Sequence, residues 1–317
     1  MRHAIFLGPP EFTPLVAETL GADYRVVHVE AEASALEPHL ARANVVVDAS
    51  MKLGFDAARL DRMGDLQLVI TATTGADHID AKVLAVRGIP LLTLADQRDF
   101  LRDITPAAEL SWLLLMACAR QLRAAVHHVE TGGWDRQRFP GLMLRGRSLG
   151  IVGCGRIGGW MSRYARAFGM SVRGCDPYSE VDAEAFEAMT LVEIFSENDF
   201  VSIHVPYNDE THEMITAEHL QRMRDPAVLI NTSRGAVVSE GDLLAGLQAG
   251  RPRFLGVDVL TGEPDVEKSA IWAYAREHRN VIITPHIGGF SPDALCEVLR
   301  FTASRVRAHF SDGERSS

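Results

Sequence analysis

Cysteine is scarce in this sequence, and its spacing matches neither a disulfide framework nor a metal site. The 317 residues include four cysteines, Cys118, Cys154, Cys175 and Cys296, and they contain no C-x-x-C pair. No cluster of His, Cys and Asp has metal-ligand spacing either. This usage predicts a reduced, cytoplasmic protein without a bound metal.

The chain also lacks basic stretches and long apolar runs. Lys and Arg number 32 against 42 Asp and Glu, a formal net charge of −10, so nucleic acid is not an expected partner. The longest strongly apolar run, residues 110–119, is about half of a membrane span. Pro9, Pro10 and Glu11 interrupt the N-terminus where a signal peptide needs an apolar core. We therefore expect neither a membrane span nor a secretion signal.

What the sequence does contain is an alternation of short apolar runs with helix-like stretches. Hydrophobic residues make up 47%, an ordinary folded composition, and at about 150 residues per domain the length suggests two domains. Such alternation predicts parallel βαβ units with helices on both faces of each sheet. Strands are predicted first at residues 4–7, 25–29, 45–47, 68–71 and 90–93, and then at residues 148–152, 171–175, 200–204, 227–230, 254–257 and 281–284.

Two longer helices and a loop are predicted around the second series of strands. Residues 105–122 are apolar almost all round, which indicates a buried helix, capped by Asp103 or Thr105 and with Pro106 in its first turn. Residues 130–146 are polar and rich in glycine, as in a surface loop. Residues 291–310 have the spacing of one amphipathic helix.

The strongest local signal is a glycine pattern after the first strand of the second series. Gly153, Gly155 and Gly158 form G-x-G-x-x-G between an apolar strand and a helix. The first glycine permits a tight turn, the second lets a pyrophosphate approach the backbone, and the third lets helix and strand pack closely. The helix N-terminus then offers free N–H groups to phosphates, so the pattern predicts a dinucleotide site.

Asp176 follows the next strand and favours NAD over NADP. A carboxylate there accepts hydrogen bonds from the ribose hydroxyls and repels a 2′-phosphate. The following residues, Pro177, Tyr178 and Ser179, include no cation that would hold such a phosphate, although Arg173 lies within the strand. The alternative is that Asp176 only caps a turn before Pro177.

Three polar segments follow later strands and carry residues suited to hydride transfer. Arg234, Glu263 and His286 each follow a predicted strand, and the carboxyl ends of parallel strands share the edge where ligands bind. A carbonyl that accepts a hydride needs a proton donor, and histidine titrates near neutral pH. A neighbouring carboxylate favours the imidazolium, and an arginine can hold a substrate carboxylate and polarise the carbonyl. A surface arginine and a turn carboxylate stay open as alternatives for the first two residues.

Together these motifs resemble those of the NAD-dependent D-isomer-specific 2-hydroxyacid dehydrogenases, and they occur in that family's order over most of the chain. The matching stretches are Gly75-Ala76-Asp77-His78-Ile79-Asp80, Ala108-Glu109-Leu110, the glycine pattern, His204-Val205-Pro206, Asn231-Thr232-Ser233-Arg234-Gly235, Glu263-Pro264 and Thr284-Pro285-His286-Ile287.

The resemblance implies a fold, an activity and an assembly. The implied fold class is α/β, with two Rossmann-like doubly wound parallel-sheet domains and the active site in the cleft between them. Residues 1–99 and 288–317 would form a flavodoxin-like substrate domain, and residues 100–287 the NAD-binding domain. The implied activity is hydride transfer between NAD(H) and a small anionic 2-oxo or 2-hydroxy acid of D configuration. A homodimer is expected, for which the apolar residues 110–116 suit an interface.

The resemblance also assigns roles to residues. Arg234 would bind and polarise the substrate, and His286, paired with Glu263, would be the acid/base. Backbone contacts to the substrate carboxylate would come from Thr74, Gly75 and Ala76. The residues expected at the cofactor are Thr105, Gly153, Gly155, Arg156, Ile157, Gly158, Asp176, His204, Pro206, Thr232, Asp258 and Gly288.

The resemblance assigns specific contacts to two of these residues, and a third has an alternative role. Asp258 would contact the nicotinamide amide, and Thr105 the cofactor phosphates. His204 is equally consistent with a strand-end histidine that makes only structural contacts.

The substrate and two other functions stay open at this point. Residues 97–103 are longer than the family's pattern and add Arg98 and Arg102, which form either exposed ion pairs or a second contact to an anionic substrate. The same fold also serves NAD-sensing, co-repressor-like interaction proteins and formate- or phosphite-type dehydrogenases.

Overall fold

Two parallel sheets organise the chain in the computed structural model, which describes residues 1–176, 178 and 181–315. One compact unit comprises Met1–Ile104 and the C-terminal segment that begins at Ser291, and the other comprises Thr105–Phe290. The predicted α/β class with two parallel-sheet domains is therefore confirmed.

The first unit has a five-stranded sheet in the order β2-β1-β3-β4-β5, the order of flavodoxin-like folds. Its strands are β1 (Arg2–Leu7), β2 (Tyr24–His28), β3 (Val45–Asp48), β4 (Leu68–Thr71) and β5 (Leu91–Leu92). Its first helices are α1 (Thr13–Leu20), α2 (Ala33–Leu36), α3 (Ala57–Leu60), α4 (Ala81–Val86) and α5 (Arg98–Leu101).

The second unit has a seven-stranded parallel sheet in the order β12-β11-β10-β9-β6-β7-β8. Its strands are β6 (Ser148–Val152), β7 (Ser171–Cys175), β8 (Glu187–Ala188), β9 (Phe200–Ile203), β10 (Val228–Asn231), β11 (Phe254–Val257) and β12 (Val281–Ile283). Its helices are α6 (Pro106–Ala119), α7 (Leu122–Glu130), α8 (Arg156–Ala167), α9 (Leu191–Glu197), α10 (Ala217–Arg222), α11 (Glu240–Gln248) and α12 (Ala270–Glu277). The strand order reverses between β6 and β9, and ligands of open α/β sheets bind at such a reversal.

The last helix, α13 (Pro292–Arg315), belongs to the first unit. Successive residues of β1 alternate between two cores, one on each face of the five-stranded sheet. Phe6 lies in the core on the side of α1 and α13, whereas Ile5 and Leu7 lie in the core on the opposite face. This is the period of two that a strand buried on both faces requires.

Most predicted elements are present, and the structure differs from the prediction at a few positions. The eleven predicted strands are all found, whereas β8 was not predicted because its two residues are both exposed and carry no apolar pattern. The helix predicted over residues 105–122 is two helices, α6 and α7, because Gln121 takes a left-handed φ of +50° between them. Pro106 begins α6 as predicted, but Thr105 makes no side-chain cap. In the described ranges, no helix is long and apolar enough to cross a bilayer.

Candidate active site

Three neighbouring strands place Arg234, Glu263 and His286 along one edge of the second sheet. β10, β11 and β12 are adjacent and parallel, and Asn231, Val257 and Ile283 are in register at their carboxyl ends. The loops that carry the three predicted side chains begin directly after these strands. The sheet thus brings residues that are far apart in sequence to a common edge.

His286 and Glu263 are in direct contact. The Nδ1 atom of His286 lies 2.7 Å from Oε1 of Glu263, and the two side chains are 33% and 31% exposed. A carboxylate only accepts hydrogen bonds, so Nδ1 carries the donated proton. Nε2 of His286 has no hydrogen-bond partner within residues 1–176, 178 and 181–315. The pair can therefore hold the ring in one orientation and leave Nε2 for proton transfer.

The backbone of His286 is held in an uncommon conformation by Asp258. His286 has a φ of +54°, which few residues other than glycine adopt without support from their surroundings. Its N–H donates to the carbonyl oxygen of Asp258 at 2.9 Å. The buried carboxylate of Asp258 accepts hydrogen bonds from the Thr284 hydroxyl and from the backbone N–H groups of Ile287 and Gly288. Asp258 therefore fixes the turn that presents the imidazole.

Asn231 and Gly235 position the loop that carries Arg234. The side chain of Asn231 accepts from Ser233 and donates to the carbonyl oxygen of Arg234 at 2.9 Å. A Cβ atom at Gly235 would lie 2.2 Å from the carbonyl carbon of Leu260, so only glycine allows this close approach of two loops. The Arg234 loop is thereby packed against the loop that leads to Glu263.

The glycine pattern has the form expected for a dinucleotide site. Gly153 has a φ of +93°, and a Cβ atom there would meet the backbone of His204 at 2.6 Å. A Cβ atom at Gly158 would lie 2.2 Å from the carbonyl oxygen of Gly153. Gly155 caps α8 and has open space beside its Cα atom, where a phosphate can approach. These residues fit the pyrophosphate of NAD.

Asp176 is placed beside this turn. One carboxylate oxygen accepts from the N–H of Cys154 at 2.8 Å and the other from the N–H of Tyr178 at 2.9 Å. Arg173 is directed elsewhere, since its guanidinium pairs with Glu187 at 3.1 Å. Pro177 and Ser179, which supply no cation after Asp176 in the sequence, lie outside the described residues.

His204 and the thiol of Cys154 are both kept uncharged at neutral pH. Burial lowers the pKa of His204 to about 3, and its Nε2 atom lies 2.7 Å from the Ser202 hydroxyl. Burial first, and then the charges of Asp176 and Cys175, raise the pKa of Cys154 to about 12. At the end of β9, His204 therefore has a partner at Nε2, while its buried Nδ1 atom has none among the described residues. The structural role and the cofactor contact both stay predictions for this residue.

The other residues predicted at the cofactor lie near the same sheet edge or at helix starts. Thr232 is hydrogen-bonded to the buried Ser111 of α6 at 2.7 Å. Thr105 donates its hydroxyl to Glu109 at 2.5 Å at the start of α6. Pro206 follows β9, and Gly288 is buried beside Asp258. Arg156 and Ile157 are the first residues of α8. Burial lowers the pKa of Arg156. Their contacts with a cofactor remain predictions.

In the first unit, the loop after β4 contains Thr74, Gly75 and Ala76. Among the described residues, the backbone N–H groups of these three residues donate to no protein atom. Three successive N–H donors suit a carboxylate.

In the segment of residues 97–103, Arg102 and Asp103 are both exposed, and their charged groups lie 4.0 Å apart. A contact of Arg98 or Arg102 with an anionic substrate stays a prediction.

The sequence pointed to most of these side chains but not to the residues that hold them. The bond between Ser111 and Thr232, the support of Arg234 by Asn231 and the role of Asp258 in the His286 turn were not predicted. Asn231 and Asp258 are polar residues at the ends of buried strands, and such placement was the available signal. Across residues 1–176, 178 and 181–315, no group of three His, Cys, Asp or Glu side chains could hold a metal ion.

Comparisons with known proteins identify relatives of this chain. Residues 112–288 match the model of the family described as "D-isomer specific 2-hydroxyacid dehydrogenase, NAD binding domain". A glyoxylate reductase of Korarchaeum cryptofilum is 35% identical over 266 residues, which cover 82% of this chain and 77% of the reductase. A D-3-phosphoglycerate dehydrogenase of Methanocaldococcus jannaschii is 31% identical over 267 residues, which cover 83% of this chain. The match spans only about half of that dehydrogenase, 49%.

A solved structure resembles the whole chain. The D-lactate dehydrogenase of Aquifex aeolicus, in complex with NAD and lactic acid, superimposes with a TM-score of 0.85 at 28% identity. The superposition covers 99% of this chain and 96% of that enzyme.

Proposed function

This chain belongs to the D-isomer-specific 2-hydroxyacid dehydrogenases, a family of NAD-dependent oxidoreductases, and on that premise we propose that it transfers a hydride between NAD(H) and a small 2-oxo or 2-hydroxy acid of D configuration. The family, the enzyme class and the cofactor predicted from the sequence are confirmed at the level of the family. The substrate and the roles of individual residues are proposals.

The observation that carries the proposal is the pairing of His286 with Glu263 beside the loop of Arg234. When NADH is bound, it supplies the hydride to the carbonyl carbon. His286 donates the proton that the carbonyl oxygen then needs, from the Nε2 atom that the pairing leaves available. Glu263 holds the imidazole ring through Nδ1, so that Nε2 is directed away from the pair.

Arg234 would bind the substrate and activate it. Its guanidinium carries parallel N–H donors that fit a carboxylate, and its positive charge polarises the adjacent carbonyl. The free N–H groups of Thr74, Gly75 and Ala76 suit the same carboxylate, and we propose them as its backbone donors.

The proposal is tested by oxidation of NADH with a panel of 2-oxo acids, namely glyoxylate, hydroxypyruvate, pyruvate and phosphorylated hydroxypyruvate, repeated with NADPH. We expect turnover of at least one acid and a higher kcat/KM with NADH. Binding of NADH without turnover of any acid would favour the co-repressor-like alternative. Oxidation of formate or phosphite by NAD would favour a formate- or phosphite-type dehydrogenase.

We also propose a homodimer that forms through the second unit. Leu113 of α6 and Val126 and Val129 of α7 are about half exposed, and Trp134 in the following loop is 90% exposed. α6 and α7 border an apolar groove of about 460 Å³. A surface of this kind is typical of a contact with another protein, and a second copy would cover it.

Finally, we propose a cytoplasmic location, because the described residues include all four cysteines and each of them is a free thiol.

A further inference from the structure

A second His–carboxylate pair lies in the first unit, at the carboxyl edge of its sheet. Asp48 is the last residue of β3 and its side chain is 1% exposed, while the His78 side chain is 12% exposed. Nε2 of His78 lies 2.6 Å from Oδ2 of Asp48. Nδ1 of His78 is buried and has no hydrogen-bond partner among the described residues. The orientation of the ring therefore depends on Asp48.

This pair joins the loops that follow two adjacent strands. The other oxygen of Asp48 accepts from both the N–H and the hydroxyl of Ser50, in the loop after β3. The backbone of His78, in the loop after β4, accepts from the N–H of Phe55 at 2.7 Å. Phe55 in turn accepts from the N–H of Asp80 at 2.9 Å. The two loops are thus connected through side chains at one end and through backbone bonds at the other.

The loop held in this way contains the three free N–H groups. Thr74, Gly75 and Ala76 lie between the end of β4 and His78. The hydroxyl of Thr73 donates to the carbonyl oxygen of Gly75 at 2.7 Å, and the N–H of Ile79 donates to the carbonyl oxygen of Ala76 at 2.9 Å. These bonds occupy carbonyl oxygens and leave the three N–H groups without an acceptor among the described residues. His78 is the connection between this loop and the buried carboxylate of the sheet.

We propose that Asp48 and His78 are positioning residues that fix the loop of residues 74–76 for binding of the substrate carboxylate. The inference rests on the proposed function and extends it to two side chains that make no contact with substrate themselves. Loss of the pair leaves the N–H groups present but lets the loop move, so substrate binding weakens while proton transfer from His286 in the other unit continues.

Two substitutions at one position separate the hydrogen bond from the volume of the ring. In His78→Gln the amide nitrogen can occupy the place of Nε2, whereas in His78→Asn it reaches only the place of Nδ1. We expect His78→Asn to raise two quantities about tenfold, the KM for the 2-oxo acid and the inhibition constant of oxalate, because the variant loses a hydrogen bond to a charged group. His78→Gln should restore both values to within about threefold of wild type. The kcat and the Kd of NADH should change little in either variant.

Asn44→Ala is the matched structural control, since Asn44 lies before β3 at the opposite end of the strand. It removes two hydrogen bonds, from the N–H of His3 and to the carbonyl oxygen of Asp65, and should lower thermal stability without raising KM. If His78→Asn does not fold, Asp48→Asn replaces it. This variant keeps the side-chain volume but loses the charge, and we expect KM to rise.

Wild-type KM in folded His78→Asn or in Asp48→Asn overturns the inference, as does an equal rise in KM for His78→Gln and His78→Asn. An equal rise in the Kd of NADH, or a KM rise in Asn44→Ala, also overturns it. These results arise with an active wild type and leave the proposed function standing. A wild type that reduces no acid of the panel overturns both.

Discussion

At the scale of single residues, Arg234 and His286 are proposed to act on different atoms of the substrate, so their loss should have different effects. His286→Ala removes proton transfer and should lower kcat by about 10²–10⁴-fold. Arg234→Ala removes both a ground-state contact and polarisation of the carbonyl, so KM should rise and kcat should fall. Steady-state kinetics with the best acid of the panel measure both effects, and NADH titration should show unchanged cofactor binding. Wild-type kcat in His286→Ala would remove this residue from the mechanism.

His204 gives a prediction about stability. Its pKa is lowered by burial to about 3 in the folded chain, against about 6.5 when unfolded. As the pH falls below about 6.5, the unfolded chain therefore binds a proton that the folded chain does not, and the free energy of unfolding decreases. His204→Gln removes this contribution. Urea unfolding at about pH 7.5 and pH 4.5 should show a smaller pH dependence in the variant, and an equal dependence in both proteins would contradict the prediction.

At the scale of elements, two glycines of the second unit should respond in opposite ways to an added methyl group. In Gly235→Ala the new Cβ atom would lie 2.2 Å from the backbone of Leu260, so the loops that follow β10 and β11 must separate. We expect a loss of about 1–3 kcal/mol in the free energy of unfolding, with a lower kcat/KM.

Gly241 in α11 is the matched control for that substitution. A Cβ atom there meets nothing within 4 Å, and alanine favours a helix over glycine by up to about 1 kcal/mol. Gly241→Ala should keep wild-type kcat/KM and equal or higher stability in urea unfolding. Equal stability losses in both variants would show that the contact with Leu260 is not the cause.

The turn between β6 and α8, with Asp176 after β7, should select the cofactor. Asp176→Asn keeps the acceptor for the N–H of Cys154 but removes the charge that repels a 2′-phosphate. We expect wild type to prefer NADH, and the variant to narrow that preference by about tenfold, which corresponds to about 1.4 kcal/mol. The ratio of kcat/KM for NADH and NADPH measures it. A wild type that uses NADPH equally well would contradict the assignment of Asp176.

At the scale of the whole molecule, the exposed apolar face of α6 and α7 should determine the state of assembly. Light scattering after gel filtration should give twice the mass of the 34.8 kDa chain. The double variant Leu113→Asp, Val126→Asp places two charges on this face and should give the mass of one chain. Val86→Asp, at an apolar residue that is 89% exposed in the first unit, is the control and should leave the dimer intact. A monomeric wild type would contradict the proposal.

The sequence by itself determined the features that depend on neighbours along the chain. Strands β3 and β10 each begin with three consecutive apolar residues, and the positive φ of Gly153 favours glycine, so local patterns identify them. The sequence also predicted that the polar segments of the second unit meet at one edge of the sheet, because the carboxyl ends of parallel strands share that edge. These patterns were enough to predict the fold class and the catalytic candidates Arg234, Glu263 and His286.

Only the tertiary structure decided which distant residues hold those side chains in place. Asp258 and His286 are separated in sequence, as are Gly235 and Leu260, and in the first unit Asp48 and His78. Each contact depends on strand order and on which loops follow adjacent strands. The break at Gln121 and the short exposed strand β8 likewise follow from packing and pairing with other elements, not from a local apolar period. Buried polar contacts of this kind are satisfied by partners that the chain meets only when it is folded, so no periodicity in the sequence records them.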